Sequence, residues 1–233
     1  MNTDMKLACV VMAAGKSLRF GGNKLAAELC GQPVLQRTLR ALPFGRFDSV
    51  KLVVSDDEIE RIAVTVKKGD ISLITDKIQV DKEKMFGKEA VSYDIIKYPG
   101  GPVSETVKQG LKDIKGMDAY MFINADMPLI KKTSIDRLID CFINNQQCIV
   151  RMGYGEVPGN PVIFPKNAYD ELMSLEGEKG GGAIIKSGKY KVLMVQADEE
   201  YEMLDVDTRE RFEEAEHILT QKGNICTQQM NIE

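Results

Sequence analysis

The stretch VVMAAGKSLRFGGNKL, Val10 to Leu25, joins an apolar run to a glycine-rich, basic turn. Such a run reads as a buried strand, and the turn after it offers backbone N–H groups and cations to an anion. Gly15-Lys16-Ser17 are the last three letters of a Walker A loop, but that pattern needs a glycine where Val10 stands. Without it the backbone cannot make the wide loop that wraps a bound triphosphate. A dinucleotide fingerprint fails too, because G-x-G-x-x-G puts a glycine at position 13, which is Ala13. The turn still asks for an anion, by some other construction.

Outward from this stretch, strand-like runs alternate with helical patterns, the signature of a parallel sheet covered on both faces. The first strand reads as Lys6 to Met12, with the glycine-rich loop from Ala13 to Asn23. Pro33 opens a helical run with Val34, Leu35, Thr38, Leu39 and Leu42 on one face. VKLVVSD is a second strand and DEIERIAVTVKKG a helix ending at Gly69. ISLIT follows, and the charged stretch from Asp76 to Lys88 reads as a surface insertion. Val103 to Lys115 is a helix, AYMFINADMP a strand with a polar end, Ser134 to Asn144 a helix and Cys148 to Met152 a strand. GNPVIFP reads as a short strand introduced by a turn, followed by helical NAYDELMSL. GEKGGGAII is a loop entering a helix, YKVLMVQ a late strand, and LDVDTRERFEEAEHILTQKG a short strand running into the last helix. No repeat or linker divides residues 1–223, and the tail 224–233 is polar.

Composition narrows the function. The 233 residues, 43% hydrophobic and 28% charged, are those of an ordinary globular protein. A net charge of −4 gives no long-range attraction for nucleic acid or anionic membranes. The five cysteines form no C-x-x-C pair and read as reduced thiols of a cytoplasmic protein. LACVVMAAG has the length of a signal-peptide apolar region, but Asp4 precedes it and no cleavage pattern follows, so a buried strand explains it better. No stretch reaches the ~18 apolar residues of a membrane span.

Ligands of an open parallel sheet bind beyond the carboxyl ends of its strands. Gly15, Gly21 and Gly22, interleaved with Lys16, Arg19 and Lys24, fall there and suit a phosphate; the plain alternative is a solvated loop. Asp126, in NADMP, also ends a strand and can hold magnesium, although a turn aspartate before Pro128 reads as well. Asp205 and Asp207 follow a late apolar run, and Asp207 with Glu210 has the spacing of a capping box for the last helix. The one histidine, His217, sits within that helix, which removes Ser-His-Asp, Cys-His and histidine-zinc chemistry. Cations, carboxylates and magnesium remain, and they suit phosphoryl or nucleotidyl transfer.

These motifs resemble a known family. AAGKSLRFGGNKL is similar to the signature A-A-G-x-S-x-R-[FM]-G-x-x-K-L of nucleotidyltransferases of the molybdenum-cofactor type. SETVKQGL resembles their S-x-S helix start and INADMPLI their D-M-P motif. GNPVIF, EKGGGAII and LDVDTRE resemble segments of the cytidylyltransferase branch. The resemblance implies one three-layer α/β/α nucleotide-binding domain with a mostly parallel sheet, like the nucleotide-diphospho-sugar transferases. It implies CMP transfer from CTP to a molybdopterin-type cofactor with release of pyrophosphate, and a molybdenum hydroxylase as recipient of the product. Carried over by position, Ala13, Ala14, Gly15, Ser17, Gly21, Gly22, Ser104 and Thr106 bind the nucleotide. Arg19 and Lys24 bind its phosphates and act in catalysis with Asp126. Asp126 and Asp207 hold magnesium, and Gly159, Asn160 and Pro161 face the acceptor. Ala14 stands where guanylyltransferases of the superfamily usually carry glycine, which favours CTP over GTP.

The chain departs from the pattern in places. Thr106 replaces a serine, Gly181 and Gly182 replace alanine and arginine, and Arg209 replaces a proline, so a cation expected beside the acceptor is missing. Two alternatives stay open: another phosphorylated acceptor (a sugar or alditol phosphate) or GTP as donor, and a non-catalytic accessory protein that carries a cofactor to a molybdenum hydroxylase.

Overall fold

In the computed structural model, residues 5–15, 17–68 and 92–222 are described, with the backbone alone over 64–68. Lys16, ISLIT, the stretch 76–88 and the tail 224–233 lie outside them. The apolar run becomes β1 (Leu7–Ala13), buried on both faces as a central parallel strand must be. It is flanked by β4 (Ser49–Val54) and β6 (Ala119–Asn124) in a seven-stranded sheet. Beyond β4 lies β5 (Asp94–Lys97); beyond β6 come β8 (Val157–Pro165), β7 (Ile149–Tyr154) and the edge strand β9 (Val192–Gln196). Every pairing is parallel except the two that β8 makes. A small ribbon of β2 (Glu28–Leu29) and β3 (Gln32–Pro33) lies outside the sheet.

The period of two in β1 divides the core. Leu7, Cys9, Val11 and Ala13 face one cluster with α1 (Val34–Arg40), α2 (Asp57–Lys68), α4 (Lys132–Ile143) and α7 (Arg209–Gln221). Ala8 and Val10 face the other with α3 (Val103–Leu111), α5 (Tyr169–Met173) and α6 (Gly181–Lys186). This is the expected three-layer α/β/α architecture. Helix α3 crosses β1 at Gly110, where an added Cβ would lie 2.2 Å from Val10 Cγ1. Only glycine lets the two backbones approach so closely. Met12 pairs with Asn124 and Ala13 with Val54, so the neighbouring strands end level and their loops share one rim.

Several local expectations change. Helix α3 stops at Leu111 rather than Lys115, with Asp113 at a φ of 64°. Gly159, Asn160 and Pro161 lie inside β8, and the turn before them is at Gly155, with a φ of 57°. LDVD forms no strand; its link to the sheet is the Val206 amide donating to the Asp126 carbonyl at 2.9 Å. Cys9, Cys141 and Cys148 are free, but Cys30 is disulfide-bonded, against the expectation of reduced thiols throughout. Among the described residues no helix is long and apolar enough to cross a membrane.

Candidate active site

The ends of β1 and β6 open into a cleft of about 330 Å³ lined by Ala14, Gly15, Lys24, Thr106, Asp126 and Asp207. Met12, Leu25, Gly101, Val103 and Asn124 complete its walls. The glycine-rich turn delivers Lys24 into the space between two carboxylates. Its ammonium hydrogen-bonds Asp126 Oδ2 and, at 2.5 Å, Asp207 Oδ1. Arg19 Nη2 reaches the other oxygen of Asp207 at 2.7 Å.

Local structure fixes each member. Asp126 follows β6 in a turn tied down twice: the Ala125 amide donates to the Met12 carbonyl, and Thr38 Oγ1 donates to the Ala125 carbonyl at 2.8 Å. Asp207 is free for the cations because it does not cap α7. The cap is Thr208, whose hydroxyl accepts from the Arg211 amide, so the capping box of Asp207 and Glu210 is not formed.

The lysine and Asp126 side chains are only 12% and 11% exposed, so their charges have little water around them. Burial by itself would lower the Lys24 pKa, but the two carboxylates outweigh it and hold the ammonium above its ordinary value. Burial raises the Asp126 carboxyl against the pull of Lys24. Asp207 is more open, and its cation partners overcome its desolvation and hold it low. Desolvation of the half-buried Asp205, and then the neighbouring Asp126 and Asp207 carboxylates, push it up to about 7.

An anion-binding turn, two cations and two carboxylates beyond the strand ends of a parallel sheet are the equipment of phosphate-transfer chemistry. A family model for the MobA-like NTP transferase domain matches residues 9–195. The chain belongs to this family. It is 25% identical over 190 residues to a probable molybdenum cofactor guanylyltransferase of Pyrococcus horikoshii, covering 81% of this chain and 80% of that one. It is also 25% identical over 205 residues to purine catabolism protein PucB of Bacillus subtilis, covering 88% and 93%. Its fold matches the crystal structure of a Mycobacterium tuberculosis rv0371c homologue from Mycobacterium sp. strain JC1 with a TM-score of 0.68, 23% identity, and coverage of 93% and 98%.

The MobA-like membership makes the chain a nucleotidyltransferase, and the cleft brings together under half of the residues that the motifs singled out. Lys24, Asp126, Asp207, Ala14, Gly15 and Thr106 meet there, with Arg19 at the rim, three-quarters exposed, on Asp207. Ser17, Gly21 and Gly22 shape the turn, with the Phe20 amide donating to the Ser17 carbonyl, and do not line the cleft. Ala13 packs into the core, and Ser104 is buried with a hydroxyl that has no partner. Asn160 lines a second cavity beside the first, whereas Gly159 and Pro161, on the same strand, line neither.

Sequence reading missed Asn124, Thr38 and Arg151. Asn124 ends a strand whose other residues are buried and apolar, a visible signal, and Arg151 interrupts the apolar run IVRMGY. Thr38 was assigned to the apolar face of its helix, and its hydroxyl gave no sign of the contact with Ala125 that only the fold creates.

Proposed function

We propose that this nucleotidyltransferase transfers CMP from CTP to a molybdopterin-type cofactor and releases pyrophosphate, with a molybdenum hydroxylase as recipient of the product. The observation that carries the reading is Ala14, 5% exposed and lining the cleft; on this reading its methyl leaves room for a pyrimidine and not a purine. In the reaction, an oxygen of the acceptor's phosphate bonds to the α-phosphorus of the nucleotide. The bond from that phosphorus to the β-bridging oxygen breaks, and its electron pair leaves with pyrophosphate. Backbone N–H groups of the turn from Ala14 meet the phosphates, and Arg19 and Lys24 neutralise the charge that gathers on the leaving group. Lys24 exchanges carboxylate partners for phosphate oxygens as the nucleotide enters.

The residues present fit a divalent cation. Asp126 Oδ1 is buried without a partner, and the Lys24 ammonium stands between Asp126 and Asp207 as a cation would. Among the described residues no group of three or more His, Cys, Asp or Glu gathers as a metal site, and magnesium asks for no more than one or two carboxylates plus phosphate oxygens. Asp126 and Asp207 would hold it, and it would supply charge neutralisation of the phosphates.

A guanylyl donor is the second reading, favoured by the name of the Pyrococcus relative. A panel of the four nucleoside triphosphates against molybdopterin, read by pyrophosphate release, tests both. CTP is the expected donor, and Ala14→Gly should move the preference toward GTP. GTP as the best donor of the unaltered protein overturns the donor assignment, and release with sugar or alditol phosphates but not molybdopterin overturns the acceptor.

A further inference from the structure

Along β7, Val150 and Met152 face one core cluster and Ile149 the other. The period of two puts Arg151 on the Ile149 side, among apolar residues. A guanidinium in such a place is unfavourable unless an anion meets it. Arg151 Nη2 donates to the Gly159 carbonyl at 3.1 Å, while its Nε is buried with no partner. No carboxylate pairs with it among the described residues, and burial pushes its pKa down.

This cation lines a cavity of about 260 Å³ and, among the described residues, is the one charged group in its walls. Asn160 lines it too, as do Gly180, Gly181 and Gly182 at the start of α6. At Gly182 an added Cβ would meet nothing within 4 Å, so that wall is open. Met12, Val103 and Asn124 border both this cavity and the nucleotide cleft, which makes the two contiguous. The ladder is irregular here: Arg151 pairs with Val162 but Gly153 with Pro158, so β8 carries extra residues, Asn160 among them, opposite Met152 and next to Arg151. Such irregularities redirect side chains next to sites.

We propose that Arg151 binds the phosphate of the acceptor and so selects a phosphorylated acceptor over the corresponding alcohol. The guanidinium donors that Gly159 does not engage, Nε among them, suit a phosphate, and the apolar walls take the rest of the molecule. The assignment rests on the reading that the acceptor reacts through its phosphate. It fills the place of the cation missing at Gly182, from a different strand.

The test is calorimetric titration of inorganic phosphate into the full chain, with the nucleotide cleft already saturated by a non-transferable α,β-methylene analogue of the preferred donor. The unaltered protein should bind phosphate. Arg151→Met should weaken that binding about tenfold or more, and Arg151→Lys, which keeps the charge but not the fork, by less. Affinity for the analogue should stay unchanged in both, which a residue that merely props Gly159 would not predict. Phosphate binding that is absent from the unaltered protein, or equal in all three, overturns the proposal; should the Met variant not fold, the Lys variant alone decides. Arg151-dependent phosphate binding in a protein that never releases pyrophosphate with molybdopterin would sink the acceptor's identity and leave Arg151 assigned.

Discussion

Replacing Lys24 with methionine keeps the length of the side chain and removes the charge that balances Asp126. Asp207 retains Arg19 at 2.7 Å and is 36% exposed, so it tolerates the loss. Asp126 does not: its side chain is 11% exposed and its Oδ1 already lacks a partner. A buried, unpaired carboxylate escapes by taking up a proton, which sets a ceiling on the damage. The ceiling is about 1.4 kcal/mol for each pH unit above the ordinary carboxylate pKa of about 3.9. Lys24→Met should therefore destabilise the fold by up to about 4 kcal/mol at pH 7 but only about 1.5 kcal/mol at pH 5, in line with the ~3–5 kcal/mol seen when one partner of a buried pair is removed. Urea denaturation of the metal-free protein at pH 5, 6, 7 and 8 measures the difference. Adding Asp126→Asn should erase its pH dependence. A destabilisation that is the same at every pH, or a double variant that still follows pH like the single one, would refute the idea that Lys24 compensates a buried charge.

Asp126→Ala should abolish nucleotidyl transfer with little loss of stability, because Lys24 keeps Asp207; turnover near that of the unaltered protein with magnesium would remove Asp126 from the mechanism. Thr38→Val leaves the Ala125 carbonyl without its donor and should lower stability by about 1–3 kcal/mol. It should also slow transfer more than it weakens nucleotide binding, and an unchanged rate would show that the turn holds Asp126 without help. Asp205, raised to about 7 in the fold, binds its proton more tightly there than when unfolded. Its stabilising share is whole below about pH 4 and is lost as pH rises through about 7. Asp205→Asn should remove that loss, gaining up to about 3 kcal/mol over the unaltered metal-free protein between pH 5 and pH 8 in denaturation; parallel stability curves would contradict it.

Much of this was legible in the sequence because it is local. The run ending at Ala13 had to be a doubly buried strand, since its apolar residues have no polar face to show to water. The turn from Ala14 to Lys24 advertised an anion by its glycines and cations. Alternation of period also gave the layers, although helix ends such as Leu111, and the extension of β8 back through Asn160, depend on pairing that no single segment encodes. Asp207 shows the limit most clearly. Its spacing to Glu210 fits a cap, yet the cap fell to the neighbouring Thr208, because the carboxylate gains more from two cations brought from the far end of the chain.

The sequence by itself determined the sheet and the family and singled out candidate phosphate-handling side chains, because period, turn chemistry and motif are properties of neighbouring residues. The tertiary structure decided which of these meet. Lys24, Asp126 and Asp207 are joined across more than a hundred residues of chain. Only there does low exposure turn ordinary charges into a coupled group, and only there does Arg151, an interruption in an apolar strand, become a cation that no described carboxylate pairs, in a cavity beside the cleft. Burial and long-range proximity set those energies, and neither is written in any one stretch of the chain.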